Sequence, residues 1–207
     1  MNVLRTPRLT LEPVDPRNAR ELWRILAFPD LRRYQDIPRV RAEEFERQVR
    51  ARPRVLGARV SGRFEWLVRF GLPPGAIGSI GAIGSIGAIG SIGAIGWISL
   101  RVNDRSPDVG EVGYSLIESA RGHGYATEAL SAVIDEAFAS AELNEVQACC
   151  VPENASSRAV LDRTGFREGR IVRSGATIRG RNVDVMLHTM HRAEWMRARA
   201  AALSART

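Results

Sequence analysis

The chain has 207 residues, 44% hydrophobic and 26% charged, which suits one globular domain and excludes a disordered chain. Two adjacent cysteines (Cys149, Cys150) make neither a disulfide framework nor a zinc site, and three scattered histidines make no metal cluster. The net charge is +7, every one of the 30 basic residues is an arginine, and residues 1–70 carry 16 Arg against 9 acids while the remainder balances.

The opening residues lack the apolar core of a secretory signal, so a reducing, cytoplasmic setting without a metal is expected. The basic first third can attract nucleic acid or an acidic peptide. With Glu43, Glu44 and Glu46 interleaved, it equally suits a solvated helix face.

In chain order, residues 8–14 alternate apolar and polar as a strand does. Asp15-Pro16 reads as the start of a helix, Asp15 as N-cap, with Leu22, Trp23, Ile25 and Leu26 as its buried stripe. A second helix is expected over 41–52, then strands at 55–60 and 64–70 split by Ser61-Gly62.

From Gly75 the sequence repeats Gly-Ala-Ile-Gly-Ser-Ile three times and runs on through Gly93-Ala94-Ile95-Gly96 to Trp97. A period of three fits neither a helix stripe nor a strand face, and so many glycines disfavour a helix. Glycine at every third position and Pro73-Pro74 argue against a membrane span. We read residues 75–92 as a tandem expansion of the start of one strand, whose original form covers 94–102.

Strands at 111–117, 146–151, 167–173 and 183–190 follow, with a long helix from Tyr125 to about Ala141. A helix capped by Asn154 and stopped by Gly165 comes next, and an Arg/Ala-rich helix closes the chain. The class is α+β, a mixed α/β sheet. Between a strand and a helix stands Arg121-Gly122-His123-Gly124-Tyr125-Ala126, a glycine turn at a helix N-terminus and hence a seat for pyrophosphate. It lacks the third glycine of a dinucleotide fingerprint and the Gly-Lys-Ser/Thr of a nucleotide-triphosphate loop.

Arg121-x-x-Gly124-x-Ala126 resembles the acetyl-CoA loop of the GCN5-related N-acetyltransferases, the GNAT superfamily. GHGYATEAL (122–130), preceded by EVGYSL, is similar to the RimJ/RimL-like branch. So are Thr6-x-Arg8-Leu9-x-Leu11, Asn154-x-x-Ser157 with Gly165-Phe166, and the tail from Gly180 through Trp195. The repeat has no counterpart in that pattern.

The resemblance implies a GNAT fold: a splayed, mostly antiparallel central sheet flanked by helices, here with the repeat inserted before the fourth strand. It implies one domain over 1–195 and an Arg/Ala-rich tail over 196–207. Acetyl-CoA would be held by Leu116, Ile117, Arg121, Gly122, His123, Gly124, Tyr125, Ala126, Thr127 and Asn154. Glu111 would act as the base, or else orient substrate, and Ser157 would donate to the thiolate, or else serve the helix's first turn.

The implied reaction is direct acetyl transfer to a primary amine in a ternary complex. The first acceptor is the N-terminal α-amino group of a protein or peptide, with an acidic N-terminus suggested by the arginine excess. A small-molecule amine (antibiotic or polyamine) and a non-catalytic basic binding module are the alternatives. A homodimer stays open, and the Arg-rich first third is the one route to nucleic acid.

Overall fold

The computed structural model describes residues 1–32, 34–35, 40–71 and 93–204, so the expectation for 75–92 lies outside the described residues. Leu9 and Leu11 alternate with Thr10 and Glu12, and this parity makes β2 (Leu9–Pro13) a half-buried strand beside the short β1 (Leu4–Arg5). Next come α1 (Ala19–Leu26), α2 (Ala42–Arg50), β3 (Gly62–Phe70), β4 (Gly96–Asn103) and β5 (Ser106–Leu116). After them stand α3 (Tyr125–Ser140), β6 (Glu145–Cys150), α4 (Ala155–Thr164), β7 (Arg167–Ile178), β8 (Arg181–His191) and α5 (Arg192–Ser204).

The strands form one sheet in the order β1-β2-β3-β4-β5-β6-β8-β7. Every neighbouring pair is antiparallel except β5 and β6, whose parallel pairing requires a crossover, supplied by α3. Phe64, Trp66, Ile98, Leu100 and Val112 share one face of the sheet and join Leu130, Val133, Ile134 and Phe138 of α3 in the core. The other face carries Arg63, Glu65, Trp97, Ser99, Arg101 and Glu111, on the side of α1 and α2.

Two expectations are corrected. Asp15 does not cap α1: the helix starts at Ala19, and Asp15 Oδ1 instead accepts from the Arg17 amide while Asn18 Oδ1 accepts from the Asp15 amide. The short carboxylate satisfies a local turn before the helix can begin. Residues 55–60 form a turn with Val55 exposed, because both edges of β3 are already taken by β2 and β4. The expected boundary at 195/196 falls inside α5, which docks on α3 through Trp195 Nε1 to Asp135 Oδ1 (2.6 Å) and Arg199 Nε to the same oxygen (3.0 Å).

One interruption in the sheet positions the site. β5 and β6 pair only from Val109–Val112 against Glu145–Ala148, yet β5 continues to Leu116 and β6 to Cys150. β6 follows β8 along its whole length while β5 stays on β4, so the two strands part after Val112 and Ala148.

Candidate functional site

The turn into α3 closes one end of this opening. Gly122 and Gly124 have φ of 81° and 77°, a left-handed backbone that glycine adopts without strain, and Gly124 is the N-cap of α3. A Cβ on Gly122 would meet nothing within 4 Å, so the turn presents open backbone. The first-turn amides of α3 have no helical partners and point out of the helix with its positive dipole end.

Arg8 braces the turn from β2's leading edge. Its Nη1 donates to the His123 carbonyl (3.0 Å), its Nε pairs with Glu128 Oε2 (2.7 Å), and its guanidinium lies over the Tyr125 ring. Thr6 Oγ1 and the Arg8 amide donate to Glu128 Oε1 at 2.5 and 2.9 Å. Burial works to raise the Glu128 carboxyl, but these bonds and the Arg8 charge outweigh it and hold its pKa below the usual range.

A cavity of about 570 Å³ runs from this turn into the opening. Leu116, Arg121, Gly122, Gly124, Tyr125, Ala126, Thr127, Asn154 and Ser157 line it. Ile117 and His123 do not. Ile117 donates its amide to the Ile95 carbonyl, so it faces β4, and strand alternation turns Tyr114 and Leu116 toward the opening. Their carbonyls confirm the parity: Gln35 Nε2 donates to the Tyr114 oxygen (2.8 Å) and Arg121 Nε to the Leu116 oxygen (2.9 Å). The His123 ring is exposed, stacked on Tyr125 with Nδ1 at 2.8 Å from the Arg121 carbonyl.

At the inner end, two elements meet around one hydroxyl. Asn154 Oδ1 accepts from the Ser157 amide (3.1 Å) and so caps α4, as its sequence position predicts. Ser157 Oγ lies 3.0 Å from Tyr114 Oη. Burial pushes the Tyr114 hydroxyl up to about 12, so it keeps its proton at neutral pH, although its bond to Ser157 works the other way. The sequence reading missed Tyr114, whose alternation marks it only as a strand residue.

A second cavity, about 1420 Å³, lies on the α1–α2 side of the sheet. It shares Tyr34, Gln35, Val112, Gly113, Cys149 and Cys150 with the first, so the two abut where β5 and β6 part. Glu111 lines only this second cavity, exposed, with Oε2 at 2.5 Å from Arg101 Nη2. Crowding around the Cys149 sulfur and the nearby Glu111 carboxylate push that thiol up to about 11, which keeps it neutral.

At the β7–β8 end of the cavity Arg179 lines the wall, while Arg173 is held by Asp184 (2.6 Å). Asp184 also accepts from the Ser174 amide, which settles it in the β7–β8 hairpin. Among the described residues no helix is long and apolar enough to cross a membrane, and no group of acidic, His or Cys side chains is set to hold a metal.

Comparison with known proteins adds sequence and structural likeness. The Bacillus subtilis (strain 168) protein YdaF, named provisionally as a ribosomal N-acetyltransferase, is 35% identical over 98 residues, 47% of this chain and 54% of that protein. The uncharacterized N-acetyltransferase p20 of Bacillus licheniformis is 32% identical over 92 residues, 44% of this chain and 52% of its own length. The chain thus spans about half the length of the curated relatives it matches.

The ribosomal-protein-S5-alanine acetyltransferase of Vibrio fischeri superposes with a TM-score of 0.71 at 16% identity, covering 94% of this chain and 99% of that one. Mycobacterium smegmatis RimJ, solved with CoA-disulfide, gives 0.68 at 21% identity over 93% and 87%. At those identities the likeness speaks for the fold. The family model described as acetyltransferase (GNAT) domain matches residues 8–167, well over half the sequence, and the chain belongs to that family.

Proposed function

We propose that this chain is an acetyl-CoA-dependent N-acetyltransferase acting on a primary amine, the N-terminal α-amino group of a protein or peptide. The observation that carries this reading is the meeting of two cavities at the point where β5 and β6 separate. One leads from an anion-binding turn, and the other is lined by a carboxylate. The names of the relatives, a ribosomal N-acetyltransferase and a ribosomal-protein-S5-alanine acetyltransferase, support a protein acceptor. So does the second cavity, whose volume of about 1420 Å³ far exceeds what a small amine fills. The family fits a cytoplasmic enzyme.

The residues suit acetyl-CoA. The left-handed glycines and free α3 amides suit its pyrophosphate, with Arg121 and Thr127 beside them. The amides of Tyr114 and Leu116 face the opening on the same side as their carbonyls and suit the amide groups of the pantetheine arm. Acetyl-CoA supplies a thioester carbonyl to the amine and a thiolate to leave.

The protein handles the protons. Glu111, directly or through water, accepts the proton that the incoming ammonium must lose before its lone pair can attack. The Tyr114 amide is the backbone donor nearest the branch point and suits the carbonyl oxygen as charge gathers on it. Ser157 Oγ hands a proton to the departing sulfur and receives one from Tyr114 Oη, which is restored from solvent, so no isolated alkoxide remains.

The test is release of free CoA thiol from acetyl-CoA in the presence of a panel of N-terminal peptides and small amines. Peptide-dependent release with mass-verified N-terminal acetylation is expected. Release with small amines and none with any peptide would overturn the protein acceptor.

A further inference from the structure

The acceptor-side cavity has a floor of alternating charge. Arg52, emerging from α2, and Arg63 of β3 both bond Glu65, which is only 1% exposed; Arg63 Nε reaches Oε1 at 2.8 Å. Across the next ladder Arg63 stands directly opposite Arg101, and Arg101 directly opposite Glu111. Two guanidiniums as cross-strand neighbours repel each other. The row holds three arginines and two carboxylates, one positive charge in excess, and Arg179 on the same cavity wall adds to it.

The two ion-pair groups differ in kind. Glu65 is buried with both carboxylate oxygens engaged, so it is a fixed frame that aims Arg63. The Arg101–Glu111 pair is 60% and 48% exposed, and a pair so open to water costs little to separate. Trp97 adds a second sign of a ligand. Its ring reaches toward Gly113 on the cavity floor beneath the Arg63 guanidinium, it is only 4% exposed, and its Nε1 has no hydrogen-bond partner among the described residues. Buried donors are rarely left so unless a bound group completes them.

We infer that the Arg101–Glu111 pair is a placeholder for an acceptor carrying a carboxylate within a few bonds of its reacting amine. The ammonium takes the place of Arg101 beside Glu111, and the carboxylate takes the place of Glu111 beside Arg101 and Arg63, with the Trp97 indole at hand as a further donor. The incoming carboxylate neutralises the surplus charge and relieves the Arg63–Arg101 repulsion. The acceptors that fit are peptides beginning with Asp or Glu and, from the same chemistry, free α-amino acids.

This inference rests on the acetyltransferase reading for its amine, and its test separates the two. Peptides beginning Asp or Glu, their Asn and Gln counterparts, and free amino acids are compared by calorimetric binding to the protein saturated with CoA and by CoA release with acetyl-CoA. The acidic peptides should exceed their amide counterparts by about ten-fold in affinity and in kcat/KM. In Arg101→Gln that ratio should fall to near one, and in Arg63→Gln it should shrink. A ratio cancels any common effect of the substitution on Glu111 or on folding. Tight binding of free amino acids alone would identify the small source of the same chemistry.

Acidic and amide peptides that bind and react equally in the wild-type protein would overturn the inference. Selective binding of acidic peptides with no turnover of any amine would uphold this site and overturn the acetyltransferase reading instead.

Discussion

Tyr114 Oη stands 3.0 Å from Ser157 Oγ, joining the end of β5 that has parted from β6 to the first turn of α4 across the opening in the sheet. The Ser157 carbonyl, 3.2 Å from Tyr114 Oη, is the alternative acceptor for the same hydroxyl proton, so the ring closes the cavity floor while the hydroxyl holds Ser157 in place. Tyr114→Phe should leave acetyl-CoA affinity nearly unchanged and lower turnover by about ten-fold. Combined with Ser157→Ala it should cost little more than Ser157→Ala alone, because the two act as a unit. Because burial holds the Tyr114 hydroxyl at about 12, the wild-type rate should show no loss from its ionisation below about pH 10. Additive losses in the double variant would break the proposed relay.

Glu111 lines the acceptor cavity and not the cofactor cavity, which separates its two measurable effects. Glu111→Gln should cut turnover at neutral pH by about a hundred-fold while acetyl-CoA titrates as before. Wild-type rates in that variant across the pH range would move the base to another residue or to water alone.

The turn into α3 allows a binding test independent of chemistry. Gly124→Glu forces a side chain onto a backbone at φ 77° and brings negative charge to the α3 N-terminus, within 3.4 Å of the Arg8 guanidinium at its Cβ. Acetyl-CoA binding should disappear, with a stability loss of about 1–2 kcal/mol from the strained backbone. Unchanged acetyl-CoA titration would remove the turn from the site.

Glu128 makes the same turn sensitive to acid. Its folded pKa is depressed, so its contribution is fully present above the unfolded carboxyl value of about 4.3 and is lost as pH falls through the folded value. Glu128→Gln should therefore flatten the acid side of the stability curve, measured by denaturant melts between neutral pH and pH 3. Identical curves for both proteins would show that the Arg8–Thr6–Glu128 cluster does not anchor the turn.

What the sequence made legible and what it hid divide along sequence separation. The glycine turn, the Asn154 cap and the strand over 111–116 are local, and the structure has each of them in place. Tyr114 and Ser157 are 43 residues apart, and no local pattern marks a tyrosine on an alternating strand as the partner of a helix serine. Ile117 turned the other way for a related reason: which amides of β5 face the opening depends on its register with β4, which is fixed by pairing at Ile95 and Gly96. The strand expected at 55–60 had the right residues and no free sheet edge to join.

The last prediction concerns the repeat. Both ends of the sheet around it are secured without it. Arg69 is bound by Glu12 and Glu21 at 2.6–2.8 Å, Ile95 donates to the Val68 carbonyl at 2.7 Å, and Ala94, Ile95 and Trp97 are buried. Removing 75–92 leaves residues 71–74 with Gly93, Ala94 and Ile95 to connect β3 and β4, and an antiparallel pair needs no more than a short loop. The shortened chain should fold, bind acetyl-CoA and melt within a few degrees of the full one, since loop length enters only through its logarithm.

The repeat also creates an alternative pairing. A six-residue slip is even, so the alternation of faces is kept, but it puts Ser91, Ala94 and Gly96 where Trp97, Leu100 and Val102 are buried. Losing the buried indole alone costs about 3–5 kcal/mol, and the loss of Leu100 and Val102 adds to it, which holds the native register. Trp97→Ser should therefore lower the melting temperature of the full and the shortened chain alike, with one set of amide resonances for β4 in each, because Leu100 and Val102 still hold the register. Loss of cooperative melting on deleting 75–92 alone would make the repeat a structural element and overturn its reading as an expansion.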